Sequence, residues 1–413
     1  MRMTFTKRDI FIWISLYILF IMHGSNALNT NQLSVILPLT VIAIFFFYRS
    51  GMQMTTQLFI PFTLLLINHI ITGFLSGAGI LEGFNFSGFL EMLFVIMAII
   101  TLYKMDNDVM TKFIKLVFGF SVISLIFYLI ISIGYGNIIT SIFKTYKAGM
   151  GEVSGKYLYA YNLRNADRNA GIFSEPGIYQ VILIMCCYVI LFLRERISLS
   201  EKQCRIYLIV FLITLITTRS AAGYIGLLIL AVGALLKRKE NRDYLIIAIL
   251  LIGVLYLLYD YYTHGTDSIL QQYFLGKLVE TQERSLNRSS GGARLLAVQM
   301  GIQSALQHPF GIGYLKWENQ LYQIYGTKFG TGNALFTQLG TRGFIAFFIS
   351  IYLALKPAFE RKKGWIEFVV FTVLFFYITV AQSKLLYPAI IMTAYLDNTT
   401  VTERNKLFRG DKL

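Results

Sequence analysis

The feature that most constrains this chain is a series of apolar runs, each close to the thickness of a bilayer. A helix needs about 20 mostly apolar residues to cross a membrane, because lipid offers no partner for backbone N–H and C=O groups and a helix pairs them within itself. About twelve such runs lie at 10–28, 33–48, 58–75, 89–103, 113–135, 177–193, 206–218, 221–236, 244–262, 334–355, 365–383 and 385–397, the seventh and twelfth being short. They predict an all-α, polytopic membrane protein. Only 14% of the residues are charged, whereas soluble domains carry about a quarter, so an ordinary globular enzyme is excluded. Three cysteines, two of them inside a run, do not make a disulfide scaffold. The first run is long enough to span, and no small-residue cleavage site clearly follows it, so no cleaved leader is expected.

Orientation follows from where Lys and Arg fall. The net charge is +15, which in another setting would suggest nucleic acid. Here the basic residues sit at the ends of apolar runs, so no nucleic-acid partner is expected. With a cytoplasmic N-terminus, the short inner segments carry Lys7 and Arg8, Lys104 and Lys112, Arg194, Arg196, Lys202 and Arg205, and Lys356 and Lys362. The short outer turns carry little beyond Arg219 and Lys384. Both termini are therefore expected in the cytoplasm. Two long outer segments remain, 136–176 and 263–333, each with stretches compatible with short helices. Loops of that length are usually functional. No fixed-period repeat divides the chain, which reads as one transmembrane domain, residues 1–413.

The candidate chemistry lies in these outer segments. The first ends in Arg164-Asn165-Ala166-Asp167-Arg168-Asn169-Ala170-Gly171-Ile172-Phe173-Ser174-Glu175-Pro176, running straight into a span. The guanidinium fork suits phosphate oxygens, so Arg164 and Arg168 could hold a lipid diphosphate, or equally phospholipid headgroups. Glu175 stands beside these cations where Pro176 marks a helix start. Arg219 sits in a tight outer hairpin, where a cation near the membrane core calls for an anionic partner. In the second segment Gly291-Gly292-Ala293-Arg294 precedes an amphipathic run and then His308-Pro309-Phe310-Gly311-Ile312-Gly313-Tyr314. His308 could accept a proton near neutral pH, or be a turn residue. Tyr157, Tyr159, Tyr161, Tyr273, Tyr314, Trp317, Tyr322 and Tyr325 could line a saccharide groove or belong to an interfacial aromatic belt. A phosphate-cradling Gly-Lys-Ser/Thr loop, metal-ligand spacing and a nucleophile elbow are all missing from the sequence, so ATP-driven transport and metal hydrolysis are unsupported and no cofactor or metal is expected.

Taken in order, Arg168-x-x-Gly171-x-Phe173-x-Glu175-Pro176, Thr218-Arg219-Ser220-Ala221, Arg294 followed by His308-Pro309-Phe310-Gly311-Ile312-Gly313, and Asn333-x-Leu-x-x-x-x-Gly-x-x-Gly resemble the bacterial O-antigen polymerase (Wzy) and O-antigen ligase superfamily. The resemblance implies metal-independent glycosyl transfer at the periplasmic face of the inner membrane, with a glycan on undecaprenyl diphosphate as donor and the phospholipid bilayer as setting. A polymerase moves the growing chain onto the next lipid-linked repeat unit, whereas a ligase moves the finished glycan to lipid A core. Ligases commonly carry histidine immediately before the asparagine of the late motif, and here Gly332 precedes Asn333; that departure argues for polymerase. Arg168, Arg219 and Arg294, with Arg164, are the expected diphosphate ligands, Glu175 and then His308 the expected proton acceptors, and Tyr314, Trp317 and Asn333 the expected saccharide contacts. A chain-length regulator is a candidate protein partner. A lipid-linked oligosaccharide or polysaccharide exporter is the rival reading, although internal symmetry and mid-span charges, which suit transport, are not evident.

Overall fold

The computed structural model describes residues 6–25, 56–76, 86–148, 151–163, 167–237, 263, 290–325, 332–360, 362 and 364–396. The expected second and ninth spans, together with Arg164 and Tyr273, lie outside the described residues.

The described chain is helical. Its helices are α1 (Lys7–Ile21), α2 (Thr56–Ser76), α3 (Phe86–Met105), α4 (Val109–Ile130), α5 (Gly136–Ile142), α6 (Pro176–Phe192), α7 (Glu201–Thr217), α8 (Ala221–Leu236), α9 (Ser290–Gln307), α10 (Tyr314–Tyr325), α11 (Ala334–Glu360), α12 (Trp365–Ala381) and α13 (Pro388–Ala394). Leu58–Ser76, Val109–Ile142 and Ala334–Glu360 are long and apolar enough to cross a bilayer, and Pro176–Phe192, Ala221–Leu236 and Trp365–Ala381 are shorter apolar helices. The expected twelfth span contains α13, whose seven residues rise only about 10 Å, less than the hydrocarbon core.

Helix α6 is the axis of the molecule. Its sequence is apolar all round, and a helix of that kind buries every face; Val181, Ile182, Leu183, Ile184, Cys186, Cys187 and Val189 are all fully enclosed. Helices α7, α8, α12 and α13 pack around it. Small residues let them approach closely: a Cβ on Gly226 of α8 would meet Ile184 at 2.3 Å, and one on Gly233 would meet Val370 of α12 at 2.4 Å. Because Pro176 occupies the first turn of this central helix, Glu175 is held at its outer-segment end.

Two helices depart from simple spans. Past Ile130 the chain passes through a π turn, Ile131–Tyr135, bent at Gly134 with φ 94°, and continues into α5. Helix α11 breaks at Gly343, where φ is 75° and ψ is −174°. The turn after α9 wedges into that break: Phe344 N–H donates to the Pro309 carbonyl at 2.9 Å, the kind of insertion that kinks a helix. The first outer segment also holds a small antiparallel sheet that the sequence reading did not anticipate. Its strands are β1 (Thr145–Ala148), β2 (Gly151–Ser154) and β3 (Tyr161–Asn162), with Thr145 opposite Ser154 and Val153 opposite Asn162.

Charges assigned to one side by the sequence meet one another. Lys112 pairs with Asp9 at 2.9 Å and Asp106 at 2.7 Å, and Arg196 and Lys237 both approach Glu367, at 3.5 and 3.4 Å. All of these belong to expected inner segments except Glu367, which lies in the first turn of α12 at the inner end of the expected eleventh span. On the expected outer side, Lys384 pairs with Glu91 at 2.8 Å and donates to the Met22 carbonyl at 3.1 Å.

Candidate functional site

The end of the first outer segment docks onto the α7–α8 hairpin. Asn169 is the staple: its backbone N–H donates to Thr217 O at 2.9 Å, and its amide donates to Ser124 Oγ and Thr217 Oγ1 at 3.2 and 3.1 Å. Its Oδ1 accepts the N–H of Gly171, whose φ of 59° suits glycine. This places Arg168, half-buried, with Nε donating to Thr218 O at 3.2 Å, beside Arg219. Arg219 has φ 45°, the one positive φ outside glycine among the described residues. For so bulky a residue that is a strained backbone, a condition that clusters at functional positions. Its guanidinium pairs with Asp167 at 3.1 Å, both side chains more than a third exposed.

Arg294 approaches the same end of the helical core from α9. Its carbonyl accepts the Asn333 amide at 3.2 Å, while Asn333 Oδ1 accepts Phe336 N–H at 3.2 Å and so caps α11. One fully buried asparagine thus ties α9 to the start of α11. The Arg294 side chain is half-buried, and its Nε is enclosed without a hydrogen-bond partner. Burial lowers its pKa from the ordinary guanidinium value, opposed by the neighbouring Tyr377 hydroxyl and Glu175 carboxylate. It remains a cation. Tyr377 donates to the Ala222 carbonyl at 2.9 Å, linking Arg294 to the Arg219 hairpin. Glu175 is exposed, and its carboxylate makes no cap hydrogen bond to α6. Arg294 and Glu175 sense each other's charge with no direct ion pair between them among the described residues.

Other candidates fall elsewhere. His308 is exposed at the end of α9, donating its N–H to Ser304 O at 2.7 Å and accepting Gly311 N–H at 2.8 Å. Between Arg294 and His308 lie about 20 Å of helix, so His308 is not brought to Glu175. Trp317 is 1% exposed, because its ring packs between α9 and α11, over Gly340 and beside Ala297, Ile312 and Leu321; it joins helices rather than facing a groove. Tyr314 stays partly exposed at 42%.

Residues 206–349 match the family model described as O-Antigen ligase. The match agrees with the resemblance to the O-antigen polymerase and ligase superfamily, whose members are glycosyltransferase-like enzymes. It covers about a third of the chain, taking in Arg219, Arg294, Asn333 and the break in α11, while Arg168 and Glu175 precede it. No curated protein was found to match the chain. A Cβ at Gly332 would lie 3.7 Å from Arg294 Nε, so the residue before Asn333 faces this guanidinium. Asp167 and Tyr377 are the members of the site that sequence reasoning missed. Asp167 stands between the two arginines of the first motif, and Tyr377 is an aromatic one turn from the end of its helix, which the sequence alone does not separate from an interfacial belt.

Proposed function

We propose that this protein is a polysaccharide polymerase that transfers a growing glycan from undecaprenyl diphosphate to a lipid-linked repeat unit at the periplasmic face of the inner membrane. The observation that carries the proposal is Arg294: a half-buried guanidinium with an unsatisfied Nε, facing an exposed, uncommitted Glu175. A buried cation with an open donor favours an anionic ligand.

In the transfer, the acceptor hydroxyl oxygen attacks the anomeric carbon of the donor sugar. The bond from that carbon to the diphosphate breaks, its electron pair leaves on the diphosphate, and the hydroxyl proton passes to the Glu175 carboxylate. Charge builds on the leaving group, where preorganised donors at low dielectric stabilise it most. Arg294, Arg219 and Arg168 supply those donors, with Arg219 exchanging Asp167 for phosphate oxygen. Asn333 positions Arg294, and Tyr314 offers a ring face to a sugar. Gly332 favours polymerase over ligase, since it leaves the space beside Arg294 Nε open. Lipopolysaccharide from a deletion strain tests this on a gel. Core bearing a single repeat unit is expected; bare core means ligase, and loss of lipid-linked units from the outer face means exporter.

A further inference from the structure

The expected inner ends of α6, α11 and α12 frame a cleft at the opposite end of the central helix from Glu175. Arg196, in the turn after α6, Lys362, just past α11, and Glu367, in the first turn of α12, line it, with Phe368 and Phe371 among its apolar walls. Hydrogen bonds fix the frame. Tyr188 Oη donates to the Glu367 carbonyl at 2.8 Å, and Lys237 Nζ, at the end of α8, donates to the Phe192 carbonyl at 2.8 Å. Glu367 is the one carboxylate among the described lining residues, and two cations share it: Arg196 approaches Oε2 at 3.5 Å and Lys237 approaches Oε1 at 3.4 Å. With Lys362, three cations therefore face one carboxylate. Arg196 is only 5% exposed, and enclosing net positive charge beside apolar walls is costly until an anion covers it. A cleft of one sign with such walls also concentrates counter-ions at its mouth.

The mouth is built for a lipid. Lys362 is half-buried there, its Nζ 3.2 Å from the Phe359 ring centre and 3.7 Å from that of Trp365. Aromatic faces hold an ammonium in place without neutralising it. The same two residues are exposed, and an exposed tryptophan beside a basic residue at a helix end suits the level of the headgroups. The enclosed part of the cleft is about 20 Å³, room for about one water, so a phosphate sits at the mouth against Lys362, with Arg196 beneath it. We propose that Arg196, Lys362 and Lys237 form a site for the phosphate of an anionic phospholipid at the inner face, with its acyl chains on Phe359 and Trp365. Basic pockets between membrane helices on the cytoplasmic side take such headgroups. The site lies apart from the transfer chemistry and does not rest on the polymerase reading.

Native mass spectrometry of the delipidated full-length protein in detergent, titrated separately with phosphatidylglycerol and phosphatidylethanolamine, tests the site without any glycan substrate. Wild type is expected to retain one equivalent of phosphatidylglycerol at a concentration where phosphatidylethanolamine leaves it bare; equal retention of the two lipids overturns the proposal. Lys362→Gln is expected to weaken that equivalent about fivefold, the effect of one basic residue facing an anionic lipid, and Lys362→Arg to keep it. Lys202→Gln, which removes an exposed lysine of α7, is expected to change nothing. If it weakens retention as much as Lys362→Gln, the general positive charge of the inner face holds the lipid and the proposal fails. Inorganic phosphate separates the sources of the anion: it is expected to leave the bound lipid in place, and displacement at equal concentration means a site for free phosphate and overturns the lipid assignment.

Discussion

In the proposed transfer single side chains carry the chemistry, and their environments set what each can do. Arg219 is held in a strained backbone conformation and paired with Asp167 across a partly exposed gap. An exposed ion pair of that kind is worth only about 0.2–1 kcal/mol, so Asp167 guards Arg219 without locking it. Asp167→Asn should therefore tighten binding of undecaprenyl diphosphate about two- to fivefold, by the same range, measurable by titration of the purified protein. Arg294 is more deeply set and has an open donor. Arg294→Gln should slow glycan transfer about 100- to 1,000-fold, the usual effect of removing one donor to a developing charge, while Arg294→Lys recovers part of the rate, as a point charge without the fork. A transfer assay with purified lipid-linked donor measures both. The arginines themselves were legible in the sequence, because each breaks the inside preference for positive charge or follows a glycine turn. Their partners were not: Tyr377 and Asn333 reach Arg294 from chain positions far from it, and only the packing of α12 and α11 brings them there.

At the scale of elements, the site depends on how α9 meets α11. A Cβ on Gly301 would come 2.4 Å from the Phe336 carbonyl oxygen, and one on Gly340 would come 2.4 Å from the Trp317 ring. Helices in lipid gain much of their association from such small-residue contacts. Gly301→Ala should cost about 1–3 kcal/mol, the usual range for overpacking, and lower the melting temperature of the purified protein, whereas Gly364→Ala, with nothing within 4 Å, should leave it unchanged. Hydropathy located the helices α2, α4, α6, α8, α11 and α12 well, since long apolar runs have few alternatives. It did not reveal the break at Gly343, which is imposed by Pro309 from a separate segment. Nor did it reveal the strands of the first outer segment, which rest on four-residue stretches too short to display a period. Trp317 shows the same limit from the other direction: an aromatic in an outer segment fits a sugar groove as well as a core until packing decides.

For the whole molecule, the fold sorts charge by side. Asp9, Asp106 and Lys112 gather at one place, Arg196, Lys237 and Glu367 at another, and none of these mixes with Arg168, Arg219, Glu175 and Arg294 among the described residues. The three native cysteines are buried, so introduced ones report cleanly. Single cysteines replacing the exposed residues Tyr157 and Tyr322 should react with an impermeant maleimide added outside spheroplasts, while one at Lys202 should react only after the membrane is permeabilised. In the proposed transfer Arg168, Arg219 and Arg294 receive the lipid diphosphate at the outer surface, with Glu175 at the start of the central helix. Complementing a deletion strain with Arg294→Gln or Arg219→Gln, and resolving the lipopolysaccharide by gel alongside an immunoblot of the membranes, tests the diphosphate clamp most directly. Both variants should sit in the membrane at the wild-type level and make no long glycan chains; normal chain lengths from both would contradict it.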